Sequence, residues 1–136
     1  MSLIIHRNGD RPGVSGPANS FTGTVLISPV ISAPAPASLR SVDVTFAPGA
    51  RTFWHHHPVG QTLRVLSGTG LIALRGEAPH YIRAGDTVFI PPHVEHWHGA
   101  TPTTAMNHIA MQEEPDGETV WLEAVTEDDF NRTPAA

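Results

Sequence analysis

The sequence predicts a single all-β domain, an antiparallel sandwich or barrel that ends in a short helix. Short strand-like segments follow one another at even spacing, and turn residues separate them. The 13 prolines and 12 glycines fit many short strands joined by tight turns. Strands do not alternate with long helical segments, so a parallel α/β sheet is not expected. At 136 residues the chain has the size of one ordinary domain.

The predicted elements follow an N-terminal arm, residues 1–20, that has no periodic pattern. Residues 21–30 are expected to hold an edge strand, and residues 33–38 (APAPAS) a stiff connection. Residues 41–49 alternate apolar and polar side chains and predict a half-buried strand. Thr126 can cap a helix in the tail, since acidic residues follow it. Further short strands are predicted within 51–57, 61–68, 70–76, 80–86, 87–92, 95–100 and 103–112.

Charge and composition exclude several classes of function. The net charge is −5, and the eight arginines are scattered, which argues against a nucleic-acid partner. The chain has no cysteine, so disulfides, thiolate metal sites and cysteine nucleophiles are excluded. The apolar run near the N-terminus is too short for a signal peptide, and no later segment is long enough to cross a bilayer. We therefore expect a cytoplasmic protein with a small-molecule partner and no membrane partner.

Histidine is concentrated in one region, because eight of the nine histidines fall between residues 55 and 108. Alternate side chains of a strand point to the same face, so His55 and His57 share a face and His56 takes the other. His96 and His98 share a face in the same way. A single strand histidine is ordinarily a surface residue or a hydrogen-bonded core residue. Two in-phase pairs favour a metal site, because imidazole is the commonest metal ligand in proteins.

The neighbouring predicted strands carry further polar and apolar side chains that alternate between the two faces. Gln61 begins an alternating set, and His93 is expected in a loop at the mouth of the barrel. In the last predicted strand one face carries Met106, His108, Ala110 and Gln112.

The spacing of these residues resembles the two motifs of the cupin family. Residues 49–68 resemble the first motif, with Gln61 at the position that usually holds glutamate, and residues 85–100 resemble the second. The resemblance implies one cupin domain over residues 1–136, a jelly-roll-like barrel also called a double-stranded β-helix.

Five segments are similar to small bacterial cupins that include the manganese- or iron-dependent (R)-selective hydroxynitrile lyases: FTGTV, VTFAPGART, HPVGQTL, HWHGATPTTAM and QEEPDG. In that group three histidines and a glutamine hold the metal. The resemblance implies one divalent ion per chain, Mn²⁺ or Fe²⁺, on His55, His57, Gln61 and His96. By affinity order alone, Zn²⁺ or Ni²⁺ would compete for the site.

The same resemblance places Thr52, His98 and His108 beside the metal, as groups that contact substrate or transfer a proton. Thr52 and His55 have opposite strand parity, so both can face the cavity only if a turn or bulge separates them. The apolar wall for an aromatic aldehyde, with Gln112 in the same pocket, is expected from Val42, Val44, Leu63 and Met106.

The favoured function is cleavage or formation of aromatic cyanohydrins such as mandelonitrile. His98 or His108 would take the hydroxyl proton as the carbon–carbon bond breaks. The alternative is an oxygen-dependent dioxygenase or C=C-cleaving enzyme, since four ligands leave two positions of an octahedral ion open. A non-catalytic binding protein or a sugar-type isomerase is a third reading.

The glutamine bears on the choice between these functions. Three neutral imidazoles and a neutral amide leave a bound M²⁺ with its full charge, whereas glutamate would reduce that charge. The less neutralised ion is the stronger Lewis acid and holds its electrons more tightly. This favours non-redox chemistry without excluding oxygen chemistry.

The sequence also predicts a homodimer or homotetramer. The N-terminal arm has no assigned place, and Trp54 and Trp97 have the parity that points them away from the ligand-bearing face. A second subunit would cover such exposed indoles, although a second layer of the same chain could also do so.

Overall fold

A computed structural model describes residues 2–115 and 118–136 of the chain. Met1 of the predicted arm and Asp116 and Gly117 of the QEEPDG segment lie outside the described residues. The described elements are β1 (Val14–Ser15), β2 (Phe21–Thr22), β3 (Val25–Ser32), β4 (Leu39–Phe46), β5 (Arg51–Thr52), β6 (His55–His56), β7 (Gln61–Leu74), β8 (His80–Arg83), β9 (Thr87–Ile90), β10 (His96–Ala100), β11 (Met106–Glu113), β12 (Val120–Trp121) and α1 (Glu127–Phe130).

Two curled antiparallel sheets share the long strand β7. The first half of β7 pairs with β11 on one side and β9 on the other, and β11 continues through β4 and β3 to β1. The second half pairs with β10 and β8, and β10 in turn pairs with β5 and β6, which lead to β2 and β12. The predicted all-β barrel with one short C-terminal helix is confirmed.

Strand β7 covers what the sequence predicts as two strands, 61–68 and 70–76. The chain bends there without breaking: Gly68 has φ +78°, and the register against β11 shifts by a bulge. A Cβ at Gly70 would collide with the Met106 sulfur and the Gly99 carbonyl. Glycine therefore lets one strand pass close to its neighbours and serve both sheets.

The main core lies between the sheets and draws side chains from both. Leu63 of β7 and Phe46 of β4 are fully buried, and Met106 of β11 packs with them. Ile72 and Ile82 join this core from the other sheet. The in-phase alternation that the sequence shows thus marks the inner face of each strand.

A second, smaller core lies under the C-terminal segment. Trp54 and Trp97 are 4% and 1% exposed and pack with Val125 and Phe130. Their expected exposure is therefore wrong, because the tail of the same chain covers the outer face of β10. Thr126 caps α1 by accepting from the Asp129 backbone N–H, as predicted.

The N-terminal arm is partly fixed on the barrel, which the sequence did not indicate. Its strand β1 pairs with β3, and Ser20 is buried beside the central cavity. Leu3, Ile4 and Ile5 remain exposed. The homodimer or homotetramer stays a prediction, and it no longer rests on exposed tryptophans. No helix in the described ranges is long and apolar enough to cross a membrane.

Candidate metal centre and cavity

A cavity of about 270 Å³ opens between the two sheets and collects most of the predicted site. This volume lies just below the range of about 300–1,000 Å³ that is typical of ligand pockets, which suits a small substrate. The lining combines apolar side chains with imidazoles, amides and hydroxyls, and it consists of Pro17, Ser20, Phe21, Ile27, Val42, Val44, Thr52, His55, His57, Gln61, His98, Ala110, Gln112, Thr119 and Trp121.

Thr52 and His55 reach the same cavity because the chain bends between β5 and β6. The predicted conflict of strand parity is resolved by this bend. Both side chains are nearly inaccessible, 1% exposed each. The Thr52 oxygen accepts a hydrogen bond from the His98 backbone N–H at 3.2 Å, which leaves its hydroxyl hydrogen free for another acceptor.

Two histidines are fixed by the same local hydrogen bond. His55 Nδ1 donates to the Phe53 carbonyl at 2.9 Å, and His96 Nδ1 donates to the Val94 carbonyl at 2.8 Å. A neutral imidazole that donates through Nδ1 carries its free lone pair on Nε2. Metal-binding histidines are ordinarily held in this way.

The Nε2 lone pair of His96 faces another acceptor, the Oε1 atom of Gln61, at 3.1 Å. Gln61 Nε2 donates to Gln112 Oε1 at 3.3 Å, so Oε1 is the atom that the amide turns toward His96. Burial lowers the pKa of His96 to about 4, more than the Val94 carbonyl raises it, and the ring is neutral at pH 7. Two lone pairs at this distance suit a shared cation.

His57 supplies a further nitrogen to the site. Its Nδ1 lies 2.9 Å from Thr119 Oγ1, whereas its Nε2 is buried and makes no hydrogen bond with the described residues. Burial lowers the pKa of His57 to about 4, although the nearby Gln61 amide raises it. A neutral imidazole with a buried, unpartnered nitrogen fits a metal ligand.

His98 and His108 form a hydrogen-bonded pair across the two sheets. His108 Nε2 lies 2.9 Å from His98 Nδ1, and both rings are at most 3% exposed. His98 lines the cavity and its Nε2 has no hydrogen-bond partner in the described part of the chain, whereas His108 lies behind it. Burial, followed by the neighbouring His108, holds the pKa of His98 well below its usual value, and burial lowers the pKa of His108 to about 4.

The most compact histidine cluster in the described part of the chain differs from the ligand set that the resemblance implies. Potential ligand atoms of His55, His96 and His98 lie within 4.8 Å of one another. His57 and Gln61 lie beside this cluster: the His57 and His96 ring centroids are 5.5 Å apart. Three buried histidines that can hold a metal are therefore present. His98 has a hydrogen-bonded Nδ1 and, within the described residues, an Nε2 without a partner, as His57 does, so this geometry admits either ring beside His55 and His96.

The predicted apolar wall is present in part. Val42 and Val44 line the cavity together with Gln112, whereas Leu63 and Met106 pack in the main core and are not among the lining residues. They face the interior as strand parity requires, but the first layer of side chains covers them.

Phe21, Thr119 and Trp121 are among the lining residues that sequence reasoning missed. The Trp121 ring stacks on His55, with centroids 4.6 Å apart and planes at 27°, and it also contacts Phe21 at 5.7 Å. Strand β12 is only two residues long and has no alternation to reveal it. Of the unassigned histidines, His56 packs against His93, whose φ is +63° in the loop before β10, and both lie outside the cavity lining.

The curled antiparallel barrel and the histidines of its internal cavity place the chain among small β-barrel proteins with a candidate metal site. Residues 42–110 match the cupin domain, and the chain belongs to that family.

Two relatives share more than the fold. The chain is 50% identical over 131 residues to the (R)-mandelonitrile lyase of Granulicella tundricola, which covers 96% of this chain and 100% of the relative. It is 38% identical to a cupin-like protein of Thermotoga maritima, with a TM-score of 0.83 over 92% of this chain and 95% of that chain.

A more distant structure matches in fold alone. The polyketide cyclase RemF of Streptomyces resistomycificus is 17% identical, with a TM-score of 0.70 over 96% of this chain and 91% of that chain.

Proposed function

We propose that this chain is a metal-dependent lyase that cleaves or forms aromatic cyanohydrins such as mandelonitrile. The observation that carries the proposal is a neutral His98 nitrogen that faces a small cavity and has no hydrogen-bond partner among the described residues, in a chain 50% identical over 131 residues to an (R)-mandelonitrile lyase. The lyase activity belongs to that relative by name, and the residues below support its transfer to this chain.

The proposed metal ligands are His55, His57, Gln61 and His96. Their donor set fits a divalent ion, since the imidazoles are neutral and the amide oxygen of Gln61 faces His96 Nε2. When bound, Mn²⁺ or Fe²⁺ supplies Lewis acidity that stabilises developing negative charge.

His98 is the proposed general base of the cleavage. Its Nε2 accepts the hydroxyl proton of the cyanohydrin, the C–CN bond breaks with its electron pair leaving on cyanide, and the C–O bond becomes the aldehyde carbonyl. The same nitrogen then returns the proton to cyanide, so that one cyanohydrin gives one aldehyde and one HCN. Burial holds the pKa of His98 well below its usual value, so this nitrogen is unprotonated at neutral pH, but the same shift makes it a weaker base.

Two neighbours orient the base and the substrate. The Thr52 hydroxyl oxygen accepts a hydrogen bond from the His98 backbone N–H, and the Thr52 hydroxyl can donate one to the substrate oxygen. A His98 ring with its lone pair on Nε2 carries its hydrogen on Nδ1 and donates it to His108 Nε2. His108 thereby holds the ring, and it can share this Nδ1 proton once Nε2 has accepted the substrate's proton. His108 therefore acts through His98 rather than on the substrate.

The aryl group is proposed to lie against Val42, Val44 and Ile27 on the apolar side of the cavity. Phe21 and Trp121 are placed at the rim, where flat rings can pack on a flat substrate ring.

The test supplies (R)-mandelonitrile to the purified, Mn²⁺-loaded protein and follows benzaldehyde, HCN and dissolved oxygen together. We expect equal amounts of benzaldehyde and HCN and no oxygen uptake. Substrate loss coupled to oxygen uptake would instead support the dioxygenase alternative. Binding without turnover would support a non-catalytic role.

A further inference from the structure

A hydroxyl and a carboxylate lie behind His57, between the end of β11 and the start of β12. Thr119 Oγ1 is 2.9 Å from His57 Nδ1 and 2.9 Å from Glu114 Oε1. The Thr119 backbone N–H donates to the same carboxylate oxygen at 3.1 Å. Two hydrogen bonds thus link the ring nitrogen to the hydroxyl and the hydroxyl to the carboxylate, and a third joins the same carboxylate to the Thr119 backbone.

The direction of each hydrogen bond follows from the chemistry of the groups. An ionised carboxylate only accepts, so the Thr119 hydroxyl donates to Glu114. The Thr119 oxygen therefore accepts from His57 Nδ1–H. The neutral His57 ring then has its lone pair on Nε2, the buried atom for which residues 2–115 and 118–136 offer no hydrogen-bond partner. The pair Thr119–Glu114 fixes both the ring orientation and the tautomer.

The charge of Glu114 gives this arrangement a second consequence. The four proposed ligands are neutral, and Glu114 brings a negative charge to the site through two hydrogen bonds. A carboxylate that polarises the far side of a ligating imidazole raises its basicity as a ligand.

We propose that Thr119 and Glu114 are positioning residues that hold His57 ready for a divalent metal ion and supply the negative charge that its ligands lack. This inference rests on the proposed metal site.

A role in substrate binding fits Thr119 less well, although it lines the cavity. Its hydroxyl hydrogen is engaged by Glu114 and its oxygen by His57. It therefore has no hydrogen left to donate to a substrate oxygen.

The test compares Thr119→Val, which keeps the shape but removes the hydroxyl, with Thr119→Ser, which keeps the hydroxyl. Mn²⁺ affinity is measured on the full chain by competition with a chelator. We expect Thr119→Val to weaken Mn²⁺ binding by about 10- to 100-fold, the usual effect of losing an outer partner of a metal-bound histidine. Thr119→Ser should restore affinity to near the wild-type value. The unfolding temperature of the metal-free protein should be similar in all three.

Glu114→Gln tests the contribution of charge, since it retains an acceptor oxygen without the negative charge. We expect a smaller loss of Mn²⁺ affinity than in Thr119→Val, and wild-type affinity would contradict the charge argument.

Thr119→Val with wild-type affinity and a raised KM would overturn the proposal in favour of substrate contact. If Thr119→Val and Thr119→Ser destabilised the metal-free protein equally, Thr119 and Glu114 would only hold the loop in place, and the proposal would be wrong. A wild-type protein that binds no Mn²⁺ would instead refute the metal site itself.

Discussion

His55 and His96 each donate Nδ1 to the carbonyl two residues earlier in the chain. The repeated local geometry orients two rings from two different strands toward one point without any charged partner. Burial lowers the pKa of both His55 and His96, so the two rings are neutral at pH 7. At the scale of single residues, the site is therefore assembled by backbone carbonyls and by one Thr–Glu pair.

Replacement of His98 tests the assignment of the base. His98→Ala should keep its metal and lose cyanohydrin cleavage by at least about 10², because a general base contributes about 10²–10⁴ in rate. His108→Ala should lose less, since His108 only supports His98. Mandelonitrile cleavage and metal content are measured on each variant.

The matched control is His80→Ala, an exposed histidine outside the cavity, which should behave as wild type. A double variant without His98 and His108 that retains its metal and full activity would show that no imidazole base is needed. Loss of metal in His98→Ala would make His98 a ligand, as its closeness to His55 and His96 allows.

Strand parity predicts much of the site from sequence alone. It places His55 with His57 and His96 with His98, and the cavity contains or adjoins all four. It cannot predict which ring nitrogen points inward, because that depends on hydrogen-bond partners such as Thr119, distant in the chain. The ligand set itself came from resemblance to a family and remains a proposal.

At the scale of elements, the C-terminal segment does what a second subunit was expected to do. Phe130 of α1 packs on Trp97 with ring centroids 5.6 Å apart, and the Arg51 guanidinium lies over the Phe130 ring, 4.3 Å from its centroid. Parity showed correctly that Trp97 faces away from the histidines. Parity could not show what covers it, because four helical residues in a polar tail carry almost no apolar signal.

Truncation of Phe130 should therefore destabilise the fold. Phe130→Ala should lower the free energy of unfolding by about 3–5 kcal/mol, the usual cost of a phenylalanine removed from a core. Urea unfolding followed by tryptophan fluorescence measures this loss, because two of the three tryptophans, Trp54 and Trp97, lie in this core. Phe89→Ala is the matched control, since Phe89 is 62% exposed, and it should change stability by less than about 0.5 kcal/mol. Equal effects of the two substitutions would refute the second core.

At the scale of the whole molecule, two sheets surround a cavity that neutral imidazoles help to line. The fold was predictable because alternation, turns and glycines all indicate short strands, whereas the short strands β1 and β12 and the continuity of β7 were not predicted. Glycine usually ends a strand, but here it allows β7 to bend and continue. Because these imidazoles are buried and neutral, the folded chain should lose stability in acid.

His108 illustrates this sensitivity, since burial lowers its pKa from the usual 6.5 to about 4. Between these values the unfolded chain binds a proton that the folded chain does not, so stability falls as pH drops below about 6.5. From pH 7 to pH 5 this one group should cost about 2 kcal/mol. Urea unfolding of the metal-free protein at both pH values measures the total.

His108→Gln cannot take up this proton, so its stability should fall by about 2 kcal/mol less than that of the wild type over the same interval. Identical pH dependence in the two proteins would show that His108 is not the buried neutral group described above.

The central claim is that a divalent metal ion in this cavity is required for cyanohydrin cleavage. The most direct measurement is the initial rate of benzaldehyde release from (R)-mandelonitrile as Mn²⁺ is returned to chelator-treated protein, with bound metal determined on the same samples. The rate should rise in proportion to bound Mn²⁺ and level off at one ion per chain. A metal-free protein that cleaves mandelonitrile at the full rate would contradict the claim.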